Sequence, residues 1–239
     1  MNNPKTQHAS QLYLSLVRDT LPHTCSSVNH SASQPFHHQS QNSQCALWLQ
    51  SGALEISDKP VACGQGIQFV TMDNIKVTSS EPAVILRFIV SRTPIEKSDA
   101  GVSTLVNCDT LFTQAINVQS NECILRLDQV DFPPAAVAYK HTHPGPGIRY
   151  LVEGGLTLVG DHGQQTIAAG DAWFEDANSA VEATAVNTMP SRFVRTMLLP
   201  LKYEGRSTFT LHNKSDADKP MRQTNIRHFE KRIWLDQIH

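Results

Sequence analysis

The sequence lacks any long hydrophobic run. Apolar stretches such as Ala83-Val84-Ile85-Leu86 end after a few residues, far short of the ~20 that a membrane-spanning helix needs. No basic start followed by an apolar segment stands near Met1, so the expectation is a cytoplasmic protein without a secretory leader. Neither sign of charge dominates: 20 Lys plus Arg stand against 22 Asp plus Glu, a net charge of −2. That balance lacks the electrostatic footprint of a nucleic-acid binder, so neither nucleic acid nor membrane is expected as a partner. The five cysteines (Cys25, Cys45, Cys63, Cys108 and Cys123) are dispersed and include no CxxC pair. Such spacing supports neither a disulfide framework nor a zinc cluster built on sulfur. A phosphate-binding Gly-rich loop, a GxSxG elbow and an HExxH helix are missing as well, which leaves the motif-borne nucleotide, serine-hydrolase and zincin chemistries without a foothold.

What is present is a β pattern. A chain of 239 residues with 40% apolar content can form one large domain or two small ones. The first 45 residues are polar, as in SSVNHSASQPFHHQSQNSQ from Ser26 to Gln44, and read as linker. From Ala46 onward the chain turns to short runs such as ALWLQSGALEI, AVILRFIV and IRYLVEGGLTLVG, broken by Gly, Pro and Asp-Asn turns. This spacing predicts an all-β sandwich or barrel. Helices are expected only over Ser10–Arg18 and Ile226–Ile238, with Arg227, His228, Glu230, Lys231 and Arg232 on a solvated face of the second.

An internal repeat divides the chain. Leu47–Ile56 (LWLQSGALEI) aligns with Arg149–Leu158 (RYLVEGGLTL), Ala62–Phe69 with Ala168–Glu175, and Leu86–Ser91 with Val194–Leu199, at separations of 102, 106 and 108 residues. Three matches in order point to duplication of one β unit.

The segments HTHPGPGIRYLVEGGLTLVG (His141 to Gly160) and AAGDAWFEDANSAVEATAVN (Ala168 to Asn187) resemble the two signature motifs of the cupin superfamily. The resemblance covers residues 105–200 well and, through the repeat, residues 20–95 weakly; the tail, especially DADKP (Asp216 to Pro220), resembles that of small uncharacterised cupins. It implies a bicupin, two antiparallel jelly-roll barrels in one chain with few short helices, and edge strands that favour a homodimer. The division expected is a degenerate barrel over 1–98, a better preserved one over 99–200, and an extension over 201–239 packing on the barrels. It further implies a divalent metal inside the barrel, held by His141 and His143. Two other ligands of the pattern are missing. The Glu expected after the HxH pair falls at Gly147, and the His of the second motif falls near Val181 and Glu182.

Residues two apart on a strand share a face, so His141 and His143 enter the lumen together. They either hydrogen-bond inside the barrel or hold one divalent ion (Zn, Fe, Mn or Ni) that another side chain must complete. Glu175, which shares its parity with Trp173, and Glu182, at the missing His, are the candidates. Arg149 stands two residues beyond Gly147; facing the lumen, it would replace an anion by a cation and suit a carboxylate, phosphate or enolate. Arg195 is a second anion contact. Tyr150 and Trp173 are read first as packing side chains and second as walls of a ligand site. His162 lies in an exposed turn, and the repeat projects the HxH pair onto Gln39 and Gln41, beside His37 and His38. The leading expectation is a bicupin that binds a small anionic or carbonyl-bearing molecule, with or without a metal. The rival expectations are a metal-dependent dioxygenase, isomerase or decarboxylase, and a non-catalytic dimerisation protein.

Overall fold

Leucines 12, 14 and 16 alternate with other residues, a period of two that builds a strand. In the computed structural model, which describes residues 11–23, 43–69, 75–95, 107–118, 120–161 and 163–238, this segment is β1 (Leu12–Leu21). The helix expected over Ser10–Arg18 is thereby corrected: Leu14 and Leu16 are fully buried on one face, Val17 and Asp19 on the other. The second expected helix is also a strand, Thr224–Trp234, followed by a 3-10 turn. Its polar sequence hid an edge strand that lies along an apolar neighbour. All helix among the described residues is 3-10, at Leu201–Tyr203, Lys214–Asp218 and Leu235–Gln237, and no helix is long and apolar enough to cross a membrane.

The N-terminal barrel consists of β1, β2 (Gln44–Ser51), β3 (Leu54–Ile56), β4 (Lys59–Val61), β5 (Gly66–Phe69), β6 (Ile75–Val77), β7 (Ala83–Ser91) and β8 (Asn107–Ile116). They form an antiparallel five-stranded sheet, β5-β2-β7-β1-β8, and a small sheet, β4-β3-β6. The C-terminal barrel consists of β9 (Glu122–Phe132), β10 (Val137–Thr142), β11 (Gly147–Glu153), β12 (Gly155–Gly160), β13 (Gly163–Ala168), β14 (Ala172–Glu175), β15 (Val181–Ala185), β16 (Ser191–Leu199), β17 (Thr210–Leu211) and β18 (Thr224–Trp234). Its sheets run β14-β11-β16-β9-β18 and β13-β12-β15-β10-β17.

Two boundaries differ from the sequence division. Strand β8 pairs with β1 from Leu12↔Ile116 to Thr20↔Asn107, so the N-terminal sheet extends well past residue 98. The extension from 201 does not simply pack on the barrels. It supplies β17 beside β10 and β18 beside β9, a strand to each C-terminal sheet.

The repeat is reproduced bond by bond. Leu49 N–H donates to Gln65 O at 3.0 Å and Gly64 N–H to Leu49 O at 2.8 Å; in the second copy Leu151 N–H donates to Asp171 O at 2.9 Å and Gly170 N–H to Leu151 O at 2.8 Å. Register shifts fall at Leu49/Ser51 and at Leu151/Glu153. Gly52 and Gly154, aligned in sequence, both turn left-handed, at φ 84° and 80°. A Cβ at Gly154 would lie 2.4 Å from the Pro190 carbonyl oxygen, so glycine is required there for space as well as conformation.

The two large sheets pack face to face. Leu14, Leu16, Trp48 and Phe88 from one barrel meet Leu125, Leu127, Ile148, Tyr150 and Val194 from the other in a continuous core. Trp48 and Tyr150 are aligned in the repeat, so the aromatic match seen in sequence marks this interface.

Candidate functional site

The two barrels differ in what fills them. The N-terminal interior is packed by aliphatic side chains including Leu47, Leu54, Ile75 and Ile85. Its Arg87 is fully buried on the equally buried Asp19, with Nε–Oδ2 at 2.5 Å. The C-terminal interior is hollow, with a cavity of about 470 Å³. Positions 39 and 41, onto which the repeat projects the HxH pair, and His37, His38 and His162 lie outside the described residues.

Strand β10 delivers His141 near its end, and His143 follows in the turn to β11; both are buried and line the cavity. Nδ1 of His141 lies 2.8 Å from the Tyr139 carbonyl, and Nδ1 of His143 lies 3.1 Å from the Thr208 carbonyl. A carbonyl can only accept, so each ring carries its proton on Nδ1. Burial pushes His141 down to about 4, with Glu175 partly opposing and Arg195 and Arg149 assisting. Burial first, then Arg195 and Arg149, holds His143 well below the usual imidazole range. Both are neutral imidazoles at pH 7. Nε2 of His143 accepts from Nη1 of Arg195 at 3.0 Å. Nε2 of His141 has no hydrogen-bond partner among the described residues. Phe209 stacks on the His141 ring at 4.1 Å between centroids.

Arg149 and Arg195 are cross-strand partners on β11 and β16 and both enter the cavity. Burial lowers Arg149 to about 10, against the pull of Glu175, so its charge persists at neutral pH. Its Nη1 donates to the Gly147 carbonyl at 2.6 Å. Its Nη2 stands 2.7 Å from Oε2 of Glu175, an ion pair off the alignment of a hydrogen bond, because that nitrogen is without a hydrogen-bond partner. Trp173 Nε1 donates to Oε1 of Glu175 at 3.0 Å. Arg195 Nη2 reaches Asp128 Oδ2 at 3.3 Å, leaving Arg195 Nε and Asp128 Oδ1 buried without partners.

Strand parity separates the remaining candidates. Trp173 and Glu175 line the cavity. Tyr150, next to the inward Arg149, faces the other way and is buried between the barrels, so it does not wall the ligand chamber. Glu182 alternates with the inward Val181 and Ala183 and does not line the cavity. His228 lies on β18 rather than on a helix, and its Nδ1 accepts from Gly66 N–H at 3.2 Å.

The divalent metal implied by the motif resemblance does not suit this donor set. Val181, the Cα partner of His141 on β15, presents an aliphatic group where the pattern places its third histidine. A Cβ at Gly147 would lie 2.4 Å from the Thr196 carbonyl oxygen and 2.8 Å from Met197 Cγ, so no carboxylate can be carried there. Glu175 is taken by Arg149 and Trp173, and the outer lone pair of His143 by Arg195. Among the described residues no group of three or more His, Cys, Asp or Glu could hold a metal ion. The ligand set His141, His143, Glu175 and Glu182 is not brought together as one group, since Glu182 stands off the cavity.

Some lining residues were not singled out in sequence. Asp128 sits in Cys123-Ile124-Leu125-Arg126-Leu127-Asp128, where Arg126 and Asp128 alternate with buried leucines, a legible sign of a polar interior face. Thr208 and Phe209 come from the extension and carried no such signal.

No protein-family model matches the chain, and no curated protein does. Solved structures similar to it include AerE from Microcystis aeruginosa, at 13% identity over 80% of this chain and 88% of that one, TM-score 0.48. An RmlC-like cupin from Shewanella frigidimarina shares 22% identity over 37% of this chain and 73% of that one, TM-score 0.30. A Pseudomonas aeruginosa protein described as glyoxylate-induced shares 14% over 67% of each, TM-score 0.45. The neighbours are cupin-type. At these levels the likeness concerns the fold, and a function has to be argued from the cavity itself.

Proposed function

We propose that the C-terminal barrel binds a small organic anion, a carboxylate in the first place, and that its arginines rather than a metal hold the charge. The observation that carries this reading is the pair of buried guanidiniums, Arg149 and Arg195, side by side in a hollow barrel. Arg149 is held by Glu175 and Arg195 by Asp128, yet Nη2 of Arg149 and Nε of Arg195 stay buried without a hydrogen-bond partner. Buried guanidinium donors without acceptors are satisfied by an anion, and a planar carboxylate suits the guanidinium fork. One part of the chamber is apolar, with Val130, Phe132, Leu158, Trp173 and Phe193 on its walls, so the ligand combines a charged end with a hydrophobic body. The packed N-terminal barrel serves as scaffold.

Calorimetric titration with phenylacetate and with its uncharged amide tests the reading. Uptake of the acid alone, weakened at least tenfold in Arg195→Met and in Arg149→Met, supports it. Equal binding of acid and amide, or of neither, overturns it.

A further inference from the structure

The chamber's hydrogen-bonding capacity says more about the ligand than its charge does. Its arginines supply donors. Its open acceptors are fewer and more selective, since Glu175 is occupied by Arg149 and Trp173 and Nε2 of His143 by Arg195. Three remain: Asp128 Oδ1, on the carboxylate held by Arg195, and Gln223 Oε1, both without a partner, and Nε2 of His141, whose orientation is fixed from two sides. The Tyr139 carbonyl fixes the ring proton on the opposite nitrogen, and stacking on Phe209 holds the ring plane. The nitrogen can therefore neither rotate away nor become a donor while the ring is neutral, and burial together with the two nearby guanidiniums keeps it so. A lone pair fixed in direction and open to the chamber is a ready acceptor, and a ligand that brings an O–H or N–H there gains a hydrogen bond. Arg195 Nε, on a side chain that lines the same cavity, is buried without an acceptor. The chamber thus lacks both an acceptor for an arginine and a donor for a histidine.

Resting on the carboxylate reading, we propose that the ligand is a hydroxy acid with an apolar body, its carboxylate on Arg149 and Arg195 and its hydroxyl donating to Nε2 of His141. The aromatic wall of Trp173 and Phe193, whose rings meet edge to face at 5.3 Å, receives the hydrophobic part. Met221, half exposed and lining the same cavity, places the mouth on the side of the C-terminal extension.

The test uses full-length protein and two matched pairs of probes: mandelate against phenylacetate, and 3-hydroxy-3-phenylpropionate against 3-phenylpropionate. In the native protein one hydroxy acid or the other binds at least tenfold tighter than its parent. In His141→Phe that advantage disappears while the parent acids keep their affinity within about threefold, and His141→Asn, which retains an acceptor, restores part of it. Independently of whether the variants fold, the 15N resonance of His141 Nε2 moves on adding the preferred hydroxy acid and stays in place with its parent. Parent acids that bind with no benefit from the hydroxyl in either pair overturn the hydroxy-acid assignment while leaving the carboxylate reading standing. Failure of all four acids sinks both. A stoichiometric metal in the purified protein, lost in His141→Phe, would give Nε2 another partner and also overturn the assignment.

Discussion

Arg195 donates from Nη1 to Nε2 of His143 at 3.0 Å, engaging the lone pair through which that histidine would otherwise ligate a cation. The same guanidinium reaches Asp128, its cross-strand partner on the neighbouring strand, so one side chain couples the histidine motif to β9. The arrangement requires a neutral His143 with its proton on Nδ1. Nitrogen NMR of labelled protein should show that tautomer for both His141 and His143 at pH 7. A protonated His143 at pH 6 would contradict the geometry.

The pH dependence of stability follows. His141 is lowered from 6.5 to about 4 by burial, and His143 moves the same way. Below pH 6.5 the unfolded chain binds protons that the folded chain refuses, so stability is complete above that value and falls as pH drops toward 4. For His141 alone the loss across that window is on the order of 3 kcal/mol. Urea midpoints at pH 7 and pH 4.5 should differ less in His141→Asn than in the native protein; an equal difference would place the acid sensitivity elsewhere.

Glu175 neutralises a guanidinium that has almost no contact with water. Glu175→Gln leaves Arg149 buried and uncompensated, at an expected cost of about 3–5 kcal/mol. Adding Arg149→Met should recover most of that stability, because the orphaned charge goes with it. If the double variant is no more stable than the single one, the pair is not coupled as its 2.7 Å separation indicates.

Gly147 stands under the Thr196 carbonyl, and even a methyl group must displace backbone. Gly147→Ala should lower stability by about 3 kcal/mol, the upper end of overpacking. Restoring the motif carboxylate with Gly147→Glu should destabilise at least as much and confer no metal binding; a variant that folds and takes up one equivalent of metal would refute the steric argument.

Tyr150 belongs to the inter-barrel core. Tyr150→Ala should cost about 3–5 kcal/mol in thermal or chemical unfolding with little change in phenylacetate affinity of the folded protein. A large affinity loss at unchanged stability would return Tyr150 to the chamber.

Much of this was legible in the residues. Strand alternation and the three aligned segments carried the β architecture and its duplication, and Gly52 and Gly154 marked equivalent left-handed turns. The period of two also placed Arg149, Trp173 and Glu175 on one side. The same rule would have removed Tyr150 and Glu182, each adjacent to an inward residue. Strands β1 and β18 were misread as helices because short Leu-rich and charged segments carry weak local preferences, which pairing with β7 and β9 overrides. Thr208 and Phe209 reach the histidines only through the 65-residue separation that folding closes between Thr208 and His143, and spacing along a chain does not reveal such contacts.

The extension's part in the barrel bears on when the site comes into being during synthesis. A nascent chain ending at Pro200 would hold both histidines and both arginines, yet lack the carbonyl that orients His143, the ring beneath His141 and the strand that borders β9. Residues 208–234 are translated after every charged group they organise. The binding chamber is therefore completed only after residues 208–234 have followed its histidines and arginines along the chain.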